Sequence, residues 1–281
     1  MKMLVIGDFH GKFPEKLKKI AKGKDIDLVV SVGDYCNIDK IRKYIFKYWT
    51  EKKWYNIIGL KKAKKIEEES FYSGLKILRE LNEINKKIYT IWGNADFYKG
   101  FITKKDPLFP GYFEDKIKQL KNIIVVDKQK KKIENLDLIG FGGYLDVTEY
   151  IKHPIQNDKK KQAKTVERYK KSEKMLNKLF LTNNPKKPFI FLIHYTPYGI
   201  FDKVKFKGSP MNGKHVGFEP YNKIIKKYKP LLVLCGHMHE YQGMKNLYGV
   251  PVINPGAAVD GKAAIVEIDE EKGRIKNVKF Y

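Results

Sequence analysis

The stretch Met3-Leu4-Val5-Ile6-Gly7-Asp8-Phe9-His10-Gly11 joins a short apolar run to a loop that carries a carboxylate and an imidazole. Such a continuous run, rich in β-branched side chains, is typical of a strand that is buried on both faces. Gly7, directly before Asp8, permits a tight turn and a close approach of the backbone. The segment therefore predicts a buried strand whose carboxyl end presents polar side chains.

The same pattern recurs along the chain: an apolar run ends, and an Asp, Asn or His follows, usually one residue after a glycine. The later examples are Gly33-Asp34 after Leu28–Val32, Gly93-Asn94 after Ile88–Trp92, His194 after Phe189–Ile193, and Gly236-His237-Met238-His239 after Leu231–Leu234. In open α/β sheets, binding sites form outside the carboxyl ends of the strands. We therefore expect these five loops to converge on one edge of the fold.

Further apolar runs predict strands, and apolar residues at three- and four-residue spacing predict helices. The further strands are Ile123–Val126, Leu136–Phe141, Val250–Ile253, Ala263–Ile268 and Arg274–Phe280, and the helices are Pro14–Lys22, Glu68–Ile84, Lys164–Phe180 and Glu219–Tyr228. Alternation of strand and helix predicts an α/β fold with a largely parallel sheet. The last three strands have no long helix between them, so we expect them to form a second, more antiparallel sheet.

Length and composition predict one soluble domain. The 281 residues, 42% of them hydrophobic, suffice for a sizeable core. No apolar run reaches the about 18 residues of a membrane helix. We expect a single domain over residues 1–281, with insertions at about 38–65 and 144–174. Cys36 and Cys235 form no CxxC pair, which favours a reducing compartment, and we expect a cytoplasmic protein with no membrane partner.

The formal net charge of +25 comes almost entirely from lysine, since only four of the 57 Lys and Arg residues are arginines. A basic surface attracts anions, and nucleic acid is one candidate partner. A composition-wide bias is the simpler explanation, and it makes the stretches Lys128–Lys132 and Lys159–Lys164 solvated faces. Trp49, Trp54 and Tyr55 lie among lysines, which suits either base stacking or a helix that packs its aromatic face on the sheet.

The polar side chains after the strands suit a pair of divalent transition metals. Imidazoles, carboxylates and one amide are mixed N and O ligands, which suit Mn, Fe, Zn, Ni or Co better than Ca. Asp8 and His10, two residues apart, can both turn toward one ion. Two ions about 3.5–4 Å apart need a bridging ligand, and a hydroxide between them could attack phosphorus. Asp34 is the best candidate for that bridge.

The ordered set G-D-x-H-G, G-D, G-N, a lone His and G-H-x-H resembles the calcineurin-like metallophosphoesterases, and the resemblance extends from Asp8 to His239. It implies a four-layer α/β/β/α sandwich of two mixed sheets flanked by helices. It also implies two metal sites that share Asp34. The implied ligands are Asp8, His10 and His239 for one ion, and Asn94, His194 and His237 for the other.

One departure from the family pattern lies in the third motif, which reads Gly93-Asn94-Ala95-Asp96. The family usually has a histidine at the position of Ala95, where it touches the substrate phosphate and is thought to assist the leaving oxygen. General acid assistance is worth about 10²–10⁴-fold, so its loss matters most for poor leaving groups. Beside Asp34, the candidate catalytic residues are therefore Asp96 and His215; the other interpretation of His215 is a surface histidine in a Gly-rich loop.

These observations predict a dinuclear metal-dependent phosphoesterase that acts on an anionic phosphoester, with a diester preferred. Manganese is among the candidate metals. Two alternatives remain open. The first is a nuclease that binds the nucleic-acid backbone through its lysines. The second is a metal-binding scaffold on a phosphoesterase fold with little catalysis, which Ala95 favours and the intact ligand set opposes.

Overall fold

The computed structural model describes residues 1–48, 53–154, 158–183 and 188–281. The strands are β1 (Lys2–Ile6), β2 (Leu28–Ser31), β3 (Ile88–Thr90), β4 (Ile123–Val125), β5 (Gln129–Ile133), β6 (Leu136–Phe141), β7 (Phe189–Ile193), β8 (Leu232–Leu234), β9 (Gly243–Leu247), β10 (Val250–Asn254), β11 (Ala264–Asp269) and β12 (Arg274–Phe280). The α-helices are α1 (Glu15–Ala21), α2 (Asp39–Lys47), α3 (Tyr55–Ile58), α4 (Leu60–Asn82), α5 (Phe113–Lys116), α6 (Thr148–Lys152), α7 (Lys159–Asn183) and α8 (Glu219–Tyr228).

The strands form two mixed sheets of six. The first has the order β12-β11-β1-β2-β3-β4, and the second has the order β5-β6-β7-β8-β10-β9. In the first sheet β1 to β4 are parallel, β11 pairs antiparallel with β1, and β12 pairs antiparallel with β11. In the second sheet β6, β7, β8 and β10 are parallel, and the edge strands β5 and β9 are antiparallel to their neighbours.

Three apolar clusters separate four layers, which confirms the predicted α/β/β/α sandwich. One cluster lies between the two sheets. Alternate side chains of β1 point to opposite faces of the sheet, so Met3 and Val5 belong to this cluster, whereas Leu4 and Ile6 face the helices. The helix-side clusters take Leu75 and Leu78 of α4 against the first sheet, and Leu176 and Phe180 of α7 with Tyr221 of α8 against the second.

The expectation that the last three strands form a separate sheet is wrong. The strands β11 and β12 join the first sheet, because β11 pairs with β1 through Leu4↔Ile265 and its neighbours, while β10 pairs with β8 in the second sheet. The chain crosses between the sheets after β10, where the Ala258 N–H donates to the Gly7 carbonyl.

Most of the stretch Lys128–Lys132, predicted to be a solvated face, forms the edge strand β5, and none of its lysines is buried. Lys131 and Lys132 remain exposed there, and lysines are typical of edge strands, where they prevent pairing with another chain. The other basic stretch lies at the start of α7.

The two predicted insertions both contain helices, the first after β2 and the second after β6. Residues 38–65 hold α2, α3 and the start of α4, which begins eight residues earlier than predicted. Residues 144–174 hold α6 and the first part of α7. The division into one domain with two insertions stays a prediction. Within the described ranges, no helix combines the length and the apolar character that crossing a membrane requires.

Candidate metal centre

The loops after five strands bring the predicted ligands together as two adjacent groups. Ligand atoms of Asp8, His10 and His239 lie within 4.8 Å of one another, and the same holds for Asp34, His194 and His237. The remaining predicted ligand, Asn94, joins the second group. Its Oδ1 lies 2.9 Å from Nε2 of His194 and 2.7 Å from Nδ1 of His237.

Asp34 lies between the two groups and faces both with one oxygen. Its Oδ2 is 3.5 Å from Nε2 of His194 and 3.8 Å from Nε2 of His10. Its other oxygen, Oδ1, accepts a hydrogen bond from the Ala95 backbone N–H at 2.8 Å. This second contact fixes the carboxylate, so that a single oxygen is common to the two groups.

Backbone carbonyls set the protonation of two imidazoles. The Nδ1 of His10 lies 3.1 Å from the Cys36 carbonyl, and the Nδ1 of His194 lies 2.8 Å from the Val32 carbonyl. A carbonyl oxygen only accepts, so each Nδ1 must be the donor and each neutral ring presents a lone pair at Nε2. Those lone pairs face further polar atoms of the centre: Nε2 of His10 is 3.0 Å from Nε2 of His239.

Nitrogen and oxygen atoms that converge at such distances share either a proton or a metal ion, and their spacing tests whether the site fits metal ions. Atoms bound to one ion at about 2.1 Å and at right angles lie about 3.0 Å apart. The contacts between Asn94 Oδ1 and the two rings of its group have this length, as does the contact between His10 and His239. The donor set and its spacing therefore fit two divalent ions.

Without a metal, protons supply part of the positive charge. Burial alone would raise the pKa of Asp34, but His194 and His10 outweigh it and hold that pKa well below its usual range. Burial acts against charge on His194 as well, yet Asp34 raises the pKa of this ring to about 9. Burial and the charge of His194 lower the pKa of His237 to about 3. In the metal-free protein these interactions favour a protonated His194, and this ring would release its proton if the second group held a metal ion.

Four of the seven ligands adopt a backbone conformation that is unfavourable for L-residues. Asp8, His10, Asp34 and His237 have φ values of 54°, 44°, 59° and 68°. Each such residue costs roughly 1–2 kcal/mol. Hydrogen bonds between loops hold them there: the Asp8 N–H donates to the Gly33 carbonyl, and the His237 N–H donates to the Asp8 carboxylate at 3.1 Å. The hydrogen bonds between the loops thus stabilise a strained backbone, and this backbone directs the four side chains toward the centre of the candidate site.

The glycines before the ligands are required because the loops touch. A Cβ on Gly93 would lie 2.0 Å from Oδ1 of Asp34, and a Cβ on Gly236 would lie 2.6 Å from Oδ2 of Asp8. No side chain fits at either position without displacing a ligand. The expectation of close backbone approach at these glycines is confirmed.

The contacts of Asp96 favour a role in holding the ligand loops in position over a catalytic role. Its buried carboxylate accepts three backbone N–H groups: Asp34 at 2.9 Å, Tyr35 at 2.8 Å and Gly93 at 2.7 Å. Burial and the Asp34 charge raise the pKa of Asp96 above its ordinary value, which the amide donors offset in part. The contacts tie the loop after β2 to the loop after β3, and so align Asp34 with Asn94.

His215 lies outside both ligand groups, in the loop between β7 and α8. Its Nδ1 is 2.7 Å from Oδ1 of Asp202, and its side chain is 42% exposed. Asp202 is buried and also accepts the N–H groups of Gly199 and Gly217. Sequence reasoning missed Asp202, because nothing in its immediate neighbours marks it as the partner of a histidine thirteen residues away.

The aromatic residues of the first insertion pack on one another. Trp54 stacks with Tyr44 of α2 at 6.2 Å between ring centroids, and Lys53 lies over the ring of Tyr55. Trp49 lies outside the described residues. A nucleic-acid partner for this segment stays a prediction. Cys36 and Cys235 are both buried in apolar clusters.

Comparison with known proteins shows a match to one family. The family model for calcineurin-like phosphoesterases matches residues 1–241, a range that contains all seven predicted ligands. An uncharacterized protein of Methanocaldococcus jannaschii is 24% identical over 280 residues, which cover 97% of this chain and 98% of that protein.

Solved structures show the same fold. One crystal structure, 21% identical, superimposes with a TM-score of 0.68 and covers 100% of this chain and 98% of its own. The crystal structure of a dimetal phosphatase from Danio rerio, 9% identical, superimposes with a TM-score of 0.53 over 95% of this chain and 92% of its own.

The contacts of Asp96 generate a stability prediction. Asp96→Ala should lower the free energy of unfolding of the metal-free protein by about 2–4 kcal/mol, because three backbone donors lose their acceptor. Urea denaturation followed by circular dichroism measures this loss. Asp260→Ala is the matched control, since its carboxylate is exposed in a turn after β10, and it should cost less than about 0.5 kcal/mol. Equal stabilities for the two variants would contradict the positioning role.

Proposed function

The chain belongs to the calcineurin-like phosphoesterase family, and from this premise we propose that it is a dinuclear metal-dependent phosphoesterase that prefers phosphodiesters. The family uses two divalent metal ions. The observation that carries the proposal is the position of Asp34, whose Oδ2 faces the rings of His194 and His10 at 3.5 and 3.8 Å. One carboxylate oxygen common to two ligand groups is the arrangement that a pair of neighbouring ions needs.

The proposed ligand sets follow the two groups. Asp8, His10 and His239 would hold one ion, Asn94, His194 and His237 would hold the other, and Asp34 would bridge them. Mixed imidazole, carboxylate and amide ligands suit Mn, Fe, Zn, Ni or Co. When bound, such a pair of cations lowers the pKa of water and neutralises the negative charge that develops on phosphoryl oxygens.

The preference for diesters is supported by Ala95. A methyl group donates no hydrogen bond, so this half-buried residue offers no proton to a leaving oxygen. It also takes up less space than an imidazole. A smaller side chain here would leave more room for the second ester substituent of a diester, and the surface lysines attract an anionic substrate from a distance.

We further propose that His215 supplies the proton that Ala95 cannot. Asp202 accepts a hydrogen bond from Nδ1 of His215, which orients the ring and leaves Nε2 to act on a leaving oxygen. The Asp202 carboxylate accepts hydrogen bonds from two backbone N–H groups. It therefore holds the His215 ring in place, although that ring is partly exposed. Proton donation by this pair would matter for an alkoxide leaving group and not for a nitrophenolate.

The bridging role of Asp34 generates an activity prediction. Asp34→Asn keeps the size of the side chain and an acceptor for the Ala95 N–H, but it removes the shared charge. Hydrolysis of bis-p-nitrophenyl phosphate by chelator-stripped protein reloaded with Mn should fall more than about 100-fold, because the cations contribute several kcal/mol to the barrier reduction. Bound metal, measured by inductively coupled plasma mass spectrometry, should fall below two ions per chain.

Asp137→Asn is the matched control, because its carboxylate lies on β6 and pairs with Lys130 away from the centre. This variant should keep both activity and metal content. Full activity of Asp34→Asn with two bound ions would show that the proposed bridge is wrong.

The Asp202–His215 pair generates a leaving-group prediction. His215→Ala should slow hydrolysis of a 2′,3′-cyclic nucleotide, which has an alkoxide leaving group, by about 100-fold or more. Hydrolysis of bis-p-nitrophenyl phosphate should change less than about threefold, since its leaving group departs without a proton. His153→Ala, in an exposed segment after α6, controls for the loss of an imidazole. An equal effect of His215→Ala on both esters would remove His215 from proton transfer.

A further inference from the structure

We propose that the exposed rings of Phe101 and Tyr144 form a stacking surface for the base of a nucleotide, beside the loops that carry Asn94 and His194. The inference rests on the proposed function, because it assigns a chemical class to one ester substituent of the substrate. Neither ring belongs to the five ligand motifs. Both side chains are exposed although they are large and apolar, at 44% for Phe101 and 38% for Tyr144.

The segment after β6 runs between two ligand loops. In the second sheet, Phe141 of β6 lies opposite Ile193 of β7, the residue before the ligand His194. Gly142, the next residue of the segment, therefore lies beside that loop, since neighbouring strands are about 4.8 Å apart. In the other direction, a Cβ on Gly142 would lie 2.3 Å from the Trp92 carbonyl oxygen, at the end of β3.

A hydrogen bond fixes this segment to the loop that carries Asn94. The Gly143 N–H donates to the carbonyl of Trp92, two residues before Asn94, at 2.6 Å. The two loops that flank the segment meet in the second ligand group, where Oδ1 of Asn94 is 2.9 Å from Nε2 of His194. Tyr144 is the next residue, so its Cα lies about 3.8 Å from that of Gly143.

Phe101 reaches the same place from the loop after β3. Tyr98, four residues after Asn94, is buried, and its hydroxyl accepts the Tyr144 N–H at 2.7 Å. Gly100 has a φ of 100°, and the Phe101 N–H donates back to the Tyr98 carbonyl at 3.4 Å. This turn folds the Phe101 ring over the Tyr98 ring.

The three rings are nearly parallel. Phe101 stacks on Tyr98 with 5.5 Å between ring centroids and 17° between ring planes, and on Tyr144 with 5.2 Å and 19°. The ammonium of Lys128 lies 5.1 Å from the centroid of the Tyr98 ring. These contacts fix the orientation of the two exposed rings, so a ligand that stacks on them orders few additional side chains.

The chemistry of this surface suits a flat aromatic partner. Exposed apolar surface beside a polar site is typical of a ligand-binding region. Aromatic side chains bind nucleobases by stacking, and any base can bind in this way because every base has a π-face. One ribose joins the base of a nucleotide to its phosphoester. A phosphate at the second ligand group and a base on the stacking surface can therefore belong to one molecule.

The test compares two ligands that differ only by the base. Manganese-loaded protein is titrated by isothermal titration calorimetry with adenosine 5′-monophosphate and with ribose 5-phosphate. The wild type should bind the nucleotide about 10-fold or more tightly, because stacking of a base adds affinity that the sugar phosphate lacks. Phe101→Ala and Tyr144→Ala should each weaken nucleotide binding about 5-fold or more and leave ribose 5-phosphate binding unchanged.

Two further variants separate stacking from a structural role. Tyr144→Phe keeps the ring and should bind adenosine 5′-monophosphate as the wild type does. Tyr248→Ala is the matched control, because this exposed tyrosine lies in the turn before β10, at the opposite edge of the second sheet. It should change the binding of neither ligand. Circular dichroism and metal content are measured for every variant.

The outcomes separate this inference from the proposed function. A preference for the nucleotide that both alanine variants lose supports the inference even if wild-type protein hydrolyses no ester, a result that would overturn only the proposed function. Equal affinity of the wild type for the two ligands, or no binding of either, would overturn the inference whatever the activity. Loss of ribose 5-phosphate binding or of metal in the alanine variants would also overturn it, since the rings would then support the centre and not the base.

Discussion

The arrangement of the centre depends on the close approach of two imidazole nitrogens, Nε2 of His10 and Nε2 of His194, to Oδ2 of Asp34. Two imidazoles are locked by carbonyl acceptors so that their Nε2 atoms face this carboxylate, one from each ligand group. Positive charge must fill the space between them, as protons in the metal-free protein or as cations in the loaded one. The positive φ values of four ligands, the glycines without room for a Cβ and the three amides on Asp96 all maintain this arrangement.

The two-sheet architecture explains why the centre has two halves. Each ligand group takes side chains from both sheets: Asp8 and His10 follow β1 and meet His239 after β8, while Asp34 and Asn94 follow β2 and β3 and meet His194 after β7. Ions held by these residues would link the two sheets at their carboxyl edge. Metal binding should therefore stabilise the folded state, because no such site exists in the unfolded chain.

The convergence of the seven proposed ligand residues could be predicted from the sequence, because each one follows a continuous apolar run, as Asp8 follows Met3–Ile6. The physical basis is local: a buried strand must end, and a glycine allows the backbone to turn close to its neighbour. The edge strands β5 and β9 could not be predicted, since Lys130 to Lys132 and Lys245 carry no apolar signal and edges tolerate polar residues. The partition of the last strands between two sheets depends on pairing with β1 and β8, which no single segment encodes. Likewise, Asp202 could not be predicted, because its contacts with His215 and with the backbone amides of Gly199 and Gly217 form only in the folded loops.

Anomalous diffraction from crystals of the manganese-loaded protein tests the central claim most directly. The account predicts two anomalous peaks about 3.5–4 Å apart, with one carboxylate oxygen of Asp34 bound to both ions. The first ion should contact His10 and His239, and the second should contact Asn94, His194 and His237. A single peak, or two peaks that do not share Asp34, would contradict the dinuclear centre.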